Sequence, residues 1–433
     1  MRIQWIIWLV LTAGLISGVT AASQDTDATK LLEIADEMVQ TTARLRGLEP
    51  KAPIKSGIKS RDEISRYLRE RVAEEYSQEM LQREGQVLRK LGLIPDSLDY
   101  TEFILKLLTE QVGGFYDPEK KVLYIASWLS AEEQKPIMVH ELTHALQDQH
   151  FNVMEILKED RDLNQDDRVL AHQALFEGEG MVLMLQYILE PLNRHFSGLP
   201  DLADIMRKQM STMQSQFEVF KSAPMFIQET LLFPYGYGAS FLQRAWQRNP
   251  DWASINEIYS DLPASTEQII HPEKYFADRD DPKTVNAEAD ATLLGDNWNI
   301  AYKNVLGEFS LGILLNLHLT EERARKSAAG WGGDQLLLLE NESDQDAVLL
   351  TTVWDTADDA DRFFAAMDEW FRRRYPDAAR TYELAAGFSI SDDGEFNSLL
   401  RDGSTVRVLI GFPEEDGRIL NEFLMEKELI PVQ

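Results

Sequence analysis

The segment His140-Glu141-Leu142-Thr143-His144 sets two imidazoles four residues apart, with a carboxylate directly after the first. On a helix both rings lie on one face a single turn apart, where they can hold one divalent cation, and Glu141 projects beside them to take a proton from water. The chemistry that follows is hydrolysis by an activated water molecule. With 7 histidines in the chain, composition alone produces this five-residue pattern in roughly one such protein in a hundred. Leu142, Ala145 and Leu146 give the helix an apolar side on which to pack. Zinc is the expected ion, because neutral imidazole nitrogens plus one carboxylate suit it and a catalytic site leaves a further position open for water.

A third ligand is expected from Ala174-Leu175-Phe176-Glu177-Gly178-Glu179-Gly180. Two carboxylates compete there, and on a helix they face different sides, so only one reaches the ion. Glu177 is preferred, because Ala174 and Met181 share its face and can pack inward with it. The small residues Ala174, Gly178 and Gly180 should allow close approach to the histidine helix. Glu179 stays as the alternative, either behind the ligands or solvated. His150, six residues after His144, is a rival, but the metzincin geometry that uses such a histidine needs a midway glycine, and the chain has Gln147. A continuing helix carries His150 off the metal face. Gln147 and Asp148 are candidates to orient the histidines from behind, or belong to a solvated helix end.

These residues need elements to position them. Val112 to Tyr116 and Lys121 to Ala126 read as strands joined by an Asp-Pro turn, a hairpin just ahead of the metal helix. Ser130 and Glu133 have capping-box spacing, but Pro136 is expected to end that short turn and start the main helix, which runs to about Gln149. A turn-rich stretch from Lys158 to Asp167 should precede a second helix, Val169 to Leu189, that carries Glu177. Earlier, Leu31 to Val39 and Ile64 to Val72 show helical spacing; later, Gln335 to Glu340, Ala347 to Trp354 and Val406 to Gly411 read as strands, with a helix from Asp358 to Arg373. Gly330 to Asp334 reads as a tight turn joining two domains.

The chain has 433 residues, no cysteine and a formal net charge of -30 from 73 acidic and 43 basic side chains. No thiolate ligand, cysteine nucleophile or disulfide is available. Charge of this sign repels phosphate backbones and anionic membranes, so nucleic acid is excluded as an expected partner. Arg2, the apolar run Trp5 to Ile16 and the small residues ending at Ala22 read as a secretory signal over residues 1–22. The expected location is therefore exported, periplasmic or secreted, with no membrane contact beyond an uncleaved signal anchor.

Gly114-Phe-Tyr-Asp-Pro118, His140-Glu-Leu-Thr-His-Ala-Leu-Gln-Asp-Gln149 and Glu177-Gly-Glu-Gly180 together resemble the gluzincins, the thermolysin-like zinc metallopeptidases, and more narrowly an exported bacterial branch of them. The likeness runs from about Gly113 to Tyr275. It implies an α+β fold: a zincin-like, mainly helical catalytic domain over residues 111–329 with a short β-hairpin or sheet. Outside the likeness, the helical spacing noted above reads as an N-terminal helical region at 23–110, and the later strands and helix as a small α+β domain at 330–433, with the boundary near Gly330. Phe233-Pro-Tyr-Gly-Tyr-Gly238 resembles the downstream Tyr-x-x-Gly segment of several gluzincins, which makes Tyr235 a candidate donor to a developing oxyanion. His271 is a second candidate for that role. The expected activity is a zinc metallopeptidase acting on peptide or protein, with Glu141 as general base and the strand Lys121 to Ala126 as an edge for an extended substrate. A zinc hydrolase of another amide or ester, and a catalytically silent zincin-fold binding protein, are the alternatives.

Overall fold

Runs such as Leu336 to Leu339 are apolar at every position, which a strand tolerates only when both of its faces are covered. The computed structural model, which describes residues 28–426 apart from 76, 112, 214–216 and 385–386, shows that cover. The chain is α+β: a mainly helical part carries a three-stranded sheet, and a seven-stranded antiparallel sheet follows. The expected signal at 1–22 lies outside the described residues. Among the described residues no helix is long and apolar enough to cross a membrane.

The helices that matter below are α1 (Ala28–Arg46), α2 (Ala131–Phe151), α3 (Asp166–Leu189), α4 (Met225–Arg248), α5 (Gly307–Asn316), α6 (Ala357–Arg374) and α7 (Glu414–Glu426). Helix α2 starts at Ala131 rather than at Pro136. Ser130 and Glu133 form a reciprocal cap that secures the first turn, and Pro136 in the second turn removes only its own amide bond. The stretch expected as turn from Lys158 is helical over Val153–Asp162, because Val153 and Leu157 lie one turn apart and bury together.

The small sheet comprises β1 (Lys55–Lys59), β2 (Gly114–Asp117) and β3 (Val122–Ala126), in the order β1-β3-β2. Asp117 closes the hairpin by accepting from the amides of Glu119 at 3.1 Å and Lys120 at 2.9 Å. Strand β3, expected to be the open edge, is the central strand: β1 pairs with it in parallel and β2 antiparallel. Edge strand β2 touches the histidine helix, its Tyr116 amide donating to Glu141.

The large sheet comprises β4 (Trp298–Asn304), β5 (Trp331–Asn341), β6 (Asp346–Trp354), β7 (Arg380–Leu384), β8 (Gly387–Asp392), β9 (Glu395–Asp402) and β10 (Thr405–Pro413), in the order β4-β5-β6-β10-β9-β8-β7. Leu336, Leu338, Val348 and Leu350 pack into the main core with α6, while Leu337, Leu339 and Leu349 face Leu420 and Leu424 of α7. The boundary expected near Gly330 cuts this sheet, since β4 comes from upstream and pairs along β5. Residues Gly330 to Asp334 are not an interdomain turn: Gly330 at φ 85° leads into β5, which carries a register shift between Trp331 and Gly333.

Where the helices meet the sheet, Asp334 and Asp167 are among the buried carboxylates. Asp334 accepts from the amides of Leu306 at 2.9 Å and Gly307 at 2.8 Å and so caps α5. Asp167, in the first turn of α3, accepts from the Thr266 hydroxyl at 2.5 Å. Gly307 sits at φ 75°, and a side chain there would run into the Asp167 carboxylate. Burial pushes Asp167 up to about 8 against the Thr266 hydrogen bond, with repulsion from Asp334 and Glu308 added. Burial also pushes Asp334 up to about 6, against its three donors. Folded-state values raised above the unfolded ones mean that folding binds protons here, so this contribution is greatest below the unfolded carboxyl range and is lost as pH rises through the folded values. Denaturant titrations should show the unsubstituted protein losing about 1 to 3 kcal/mol relative to Asp167→Asn between pH 5 and pH 8. Parallel pH dependences for the two proteins would contradict the assignment.

Candidate metal centre

Helices α2 and α3 lie against each other and bring His140, His144 and Glu177 together. One ligand atom from each lies within 4.8 Å of the others. The two Nε2 atoms are 3.1 Å apart, and Glu177 Oε2 stands 3.0 Å from His140 Nε2 and 3.5 Å from His144 Nε2. All three side chains are no more than 1 % exposed. Glu177 Oε1 is buried and finds no hydrogen-bond partner.

The tautomer of His144 can be read from its surroundings. Gln147 donates its Nε2 to the Phe176 carbonyl at 3.0 Å, and a carbonyl can only accept, so the amide orientation is settled. Gln147 Oε1 then faces His144 Nδ1 at 2.8 Å and must receive its proton. In neutral His144 the lone pair is therefore on Nε2, pointing at Glu177 and His140. Burial pulls His144 down, but the Glu177 carboxylate outweighs it and holds the imidazole up, to about 9. Burial lowers His140, and Glu177 is lowered because the two imidazoles overcome its own burial. The two imidazoles and the carboxylate thus surround the place where a divalent cation would sit. Two imidazole nitrogens and a carboxylate oxygen with a second, unpartnered oxygen fit zinc as a donor set.

Glycines make the approach of the helices possible. A Cβ on Gly180 would lie 2.7 Å from the His140 ring. Gly178 faces the backbone of α4 at Gly238, and Gly238 in turn faces the Ala174 carbonyl. Of the small residues expected to admit the histidine helix, only Gly180 meets His140; Gly178 and Ala174 instead let α4 approach α3.

Glu141 is 2 % exposed, and its Oε2 accepts from the Tyr116 amide of β2 at 3.1 Å. The general-base candidate is thereby tied to the sheet edge. Tyr235 on α4 is buried beside the cluster, its ring 6.1 Å from that of His140. His271 is placed elsewhere: its Nε2 donates to Glu308 at 2.9 Å, in the wall of a cavity of about 590 Å³ that none of the three ligand candidates lines. His150 donates to the Glu49 carbonyl at 2.8 Å, off the metal face of an unbroken helix. Asp148 accepts from the Tyr116 hydroxyl at 3.2 Å, whereas Gln147 is the residue that touches a histidine.

Glu179 faces away from the cluster, where Arg46 and Tyr259 donate to its two oxygens. Neither Arg46 nor Tyr259 stands out in the sequence, because no local spacing links either of them to α3. A second acidic group, Glu267, Asp280 and Asp355, already surrounds a cation: the Lys274 ammonium reaches them at 2.6, 2.8 and 2.8 Å.

The comparisons with known proteins touch this centre little. A family described as a domain of unknown function, DUF8575, matches residues 299–420, which span the large sheet and lie downstream of every ligand candidate. No curated protein matches the chain. The crystal structure of "a putative hydrolase with a novel fold" from Chloroflexus aurantiacus is similar over 64 % of this chain and 97 % of that one, at 16 % identity and a TM-score of 0.37. A likeness of that size carries no argument about fold or chemistry.

The backbone contact at Gly238 is testable without any metal. Gly238→Ala drives a methyl into the Ala174 carbonyl and should lower stability by about 1 to 3 kcal/mol, as overpacking does. Gly198→Ala, where nothing lies within 4 Å, is the control and should stay within about 0.5 kcal/mol. Equal denaturation midpoints for the two variants would show that α3 and α4 do not depend on this contact.

Proposed function

We propose that the chain is a zinc-dependent hydrolase of the gluzincin kind, exported to the periplasm or secreted, that cleaves peptide bonds in a peptide or protein substrate. The observation that carries this reading is the convergence of His140, His144 and Glu177 in a dry core with Glu141 on the same helix, one residue past the first imidazole. His140, His144 and Glu177 would hold the ion. Bound zinc supplies Lewis acidity and a lowered pKa for water. Glu141 accepts the proton of the attacking water and passes it to the leaving amine, acting as base and then as acid. The Tyr116 amide fixes the carboxylate for that transfer. Tyr235, whose ring lies beside that of His140, is the candidate donor to the developing oxyanion. Export rests on the apolar run and small residues of the first 22 positions.

The burial of Glu141 and of all three ligand candidates supports one other reading, a zincin fold that keeps its ion without turnover. A structural site is closed in this way, whereas a catalytic one must open to admit substrate.

Chelator competition should find one zinc per chain. Because the His144 Nε2 proton must leave before the ion binds, the apparent affinity should weaken by about tenfold for each pH unit below about 9. His140→Ala and Glu177→Ala should each lose the ion. Glu141→Gln should retain it while hydrolysis of a broad peptide library falls by about 10²- to 10⁴-fold. Unaltered hydrolysis by Glu141→Gln would refute the base assignment, and a zinc-loaded parent that cleaves nothing would favour the silent reading.

A further inference from the structure

We propose that Arg46, Glu179, Tyr259 and Gln147 are positioning residues that act in series on His144, so that the N-terminal helix α1 is a working part of the metal centre. The inference rests on the zinc reading above. The chain of contacts is unbroken. Arg46, the last residue of α1, donates its Nε to Glu179 Oε1 at 2.5 Å and its Nη2 to Asn256 at 2.7 Å, with its guanidinium 4.6 Å from the Trp252 ring. Glu179 Oε2 accepts from the Tyr259 hydroxyl at 2.5 Å. That hydroxyl accepts from Gln147 Nε2 at 2.9 Å, and Gln147 Oε1 accepts from His144 Nδ1 at 2.8 Å.

Each link sets the direction of the next. A carboxylate has no proton to give, so Glu179 makes Tyr259 the donor of their bond and leaves the phenol oxygen to accept from Gln147. Burial and the neighbouring Glu179 hold the Tyr259 phenol well above its ordinary range, so it keeps that proton. The Phe176 carbonyl and the Tyr259 hydroxyl together receive the two Gln147 amide protons, so its carbonyl is pinned towards His144. The imidazole proton stays on Nδ1 and the lone pair on Nε2, the arrangement a metal ligand requires. Arg46 and Glu179 have fully buried side chains. A buried ion pair often contributes no more stability than apolar residues of the same volume. Its place at the head of this series gives it a geometric task instead. His140 is held differently: its ring rests on Gly180, whose backbone is the hydrogen-bonding group nearest behind it.

The test measures zinc affinity by chelator competition, together with the stability of the zinc-free protein. Gln147→Leu should weaken zinc by about tenfold to a hundredfold, the range found when partners behind a ligand histidine are removed. Tyr259→Phe removes one hydroxyl and keeps the ring stacked 3.9 Å from Phe151, so it should fold and show a smaller loss in the same direction. In series the effects do not multiply: the double variant should bind zinc no more weakly than Gln147→Leu alone. The visible spectrum of bound cobalt should shift in the same variants. If Gln147→Leu does not fold, Tyr259→Phe alone decides. Variants that lose stability but bind zinc as the parent does, or losses that multiply, overturn the series while leaving the zinc reading intact. A parent that takes up no zinc overturns both.

Discussion

Two imidazole nitrogens and a carboxylate oxygen held within 4.8 Å of one another, in a core closed to water, require positive charge among them. In a dry interior that charge is a proton or a metal cation, because neither anion nor lone pair can be left unbalanced at acceptable cost. Without an ion, the Glu177 carboxylate pulls His144 upward and the imidazoles pull Glu177 downward, the directions a shared proton would give. The donor set, the fixed Nδ1 proton of His144 and the unpartnered Glu177 oxygen are the features that suit a cation. The scaffold around the three residues serves this one electrostatic demand.

Meeting it depends on how closely three helices can pack. Gly180 gives the His140 ring its place, and Gly178 and Gly238 let α4 lie directly on α3. Backbone contact of this kind leaves little freedom for Glu177 to turn away, since neighbours on both sides hold its helix. The two acidic residues of the Glu-Gly-Glu-Gly run then divide their work. Glu177 faces the histidines, and Glu179 faces Arg46 and Tyr259 on the opposite side. The large sheet contributes indirectly: Asp334 of β5 caps α5, whose first residue, Gly307, lies against Asp167 at the start of α3.

The legible part of the site was the part written at helical spacing. His140, Glu141 and His144 share one turn, and Glu177 could be preferred over Glu179 from the small and apolar residues on its face. His150 could be set aside because nothing breaks the helix before it. His271, a candidate oxyanion donor by sequence, lies instead against Glu308, since a histidine before proline looks the same in sequence in either place. In the fold, the α+β class and the apolar strands were readable. The edge status of β3 was not, because β1 comes from more than sixty residues upstream and pairs with it in parallel. The boundary near Gly330 failed for a like reason: β4 is polar at several positions and gains its identity as a strand only by pairing with β5.

By itself the sequence determined which residues could bind an ion and which carboxylate stood beside them, because periodicity within one helix is a local property. It also determined that no thiol chemistry was open and that apolar strands would be covered on both faces. Only the tertiary structure decided what each polar residue faces. Arg46 and Tyr259 lie 133 and 80 residues from Glu179, and no spacing rule reaches that far. Tertiary packing chose Gln147 over Asp148 as the hydrogen-bond partner of His144 and set Glu141 against the Tyr116 amide of β2. Hydrogen bonds between distant elements are fixed by how helices pack, and that packing is settled only when the whole core closes.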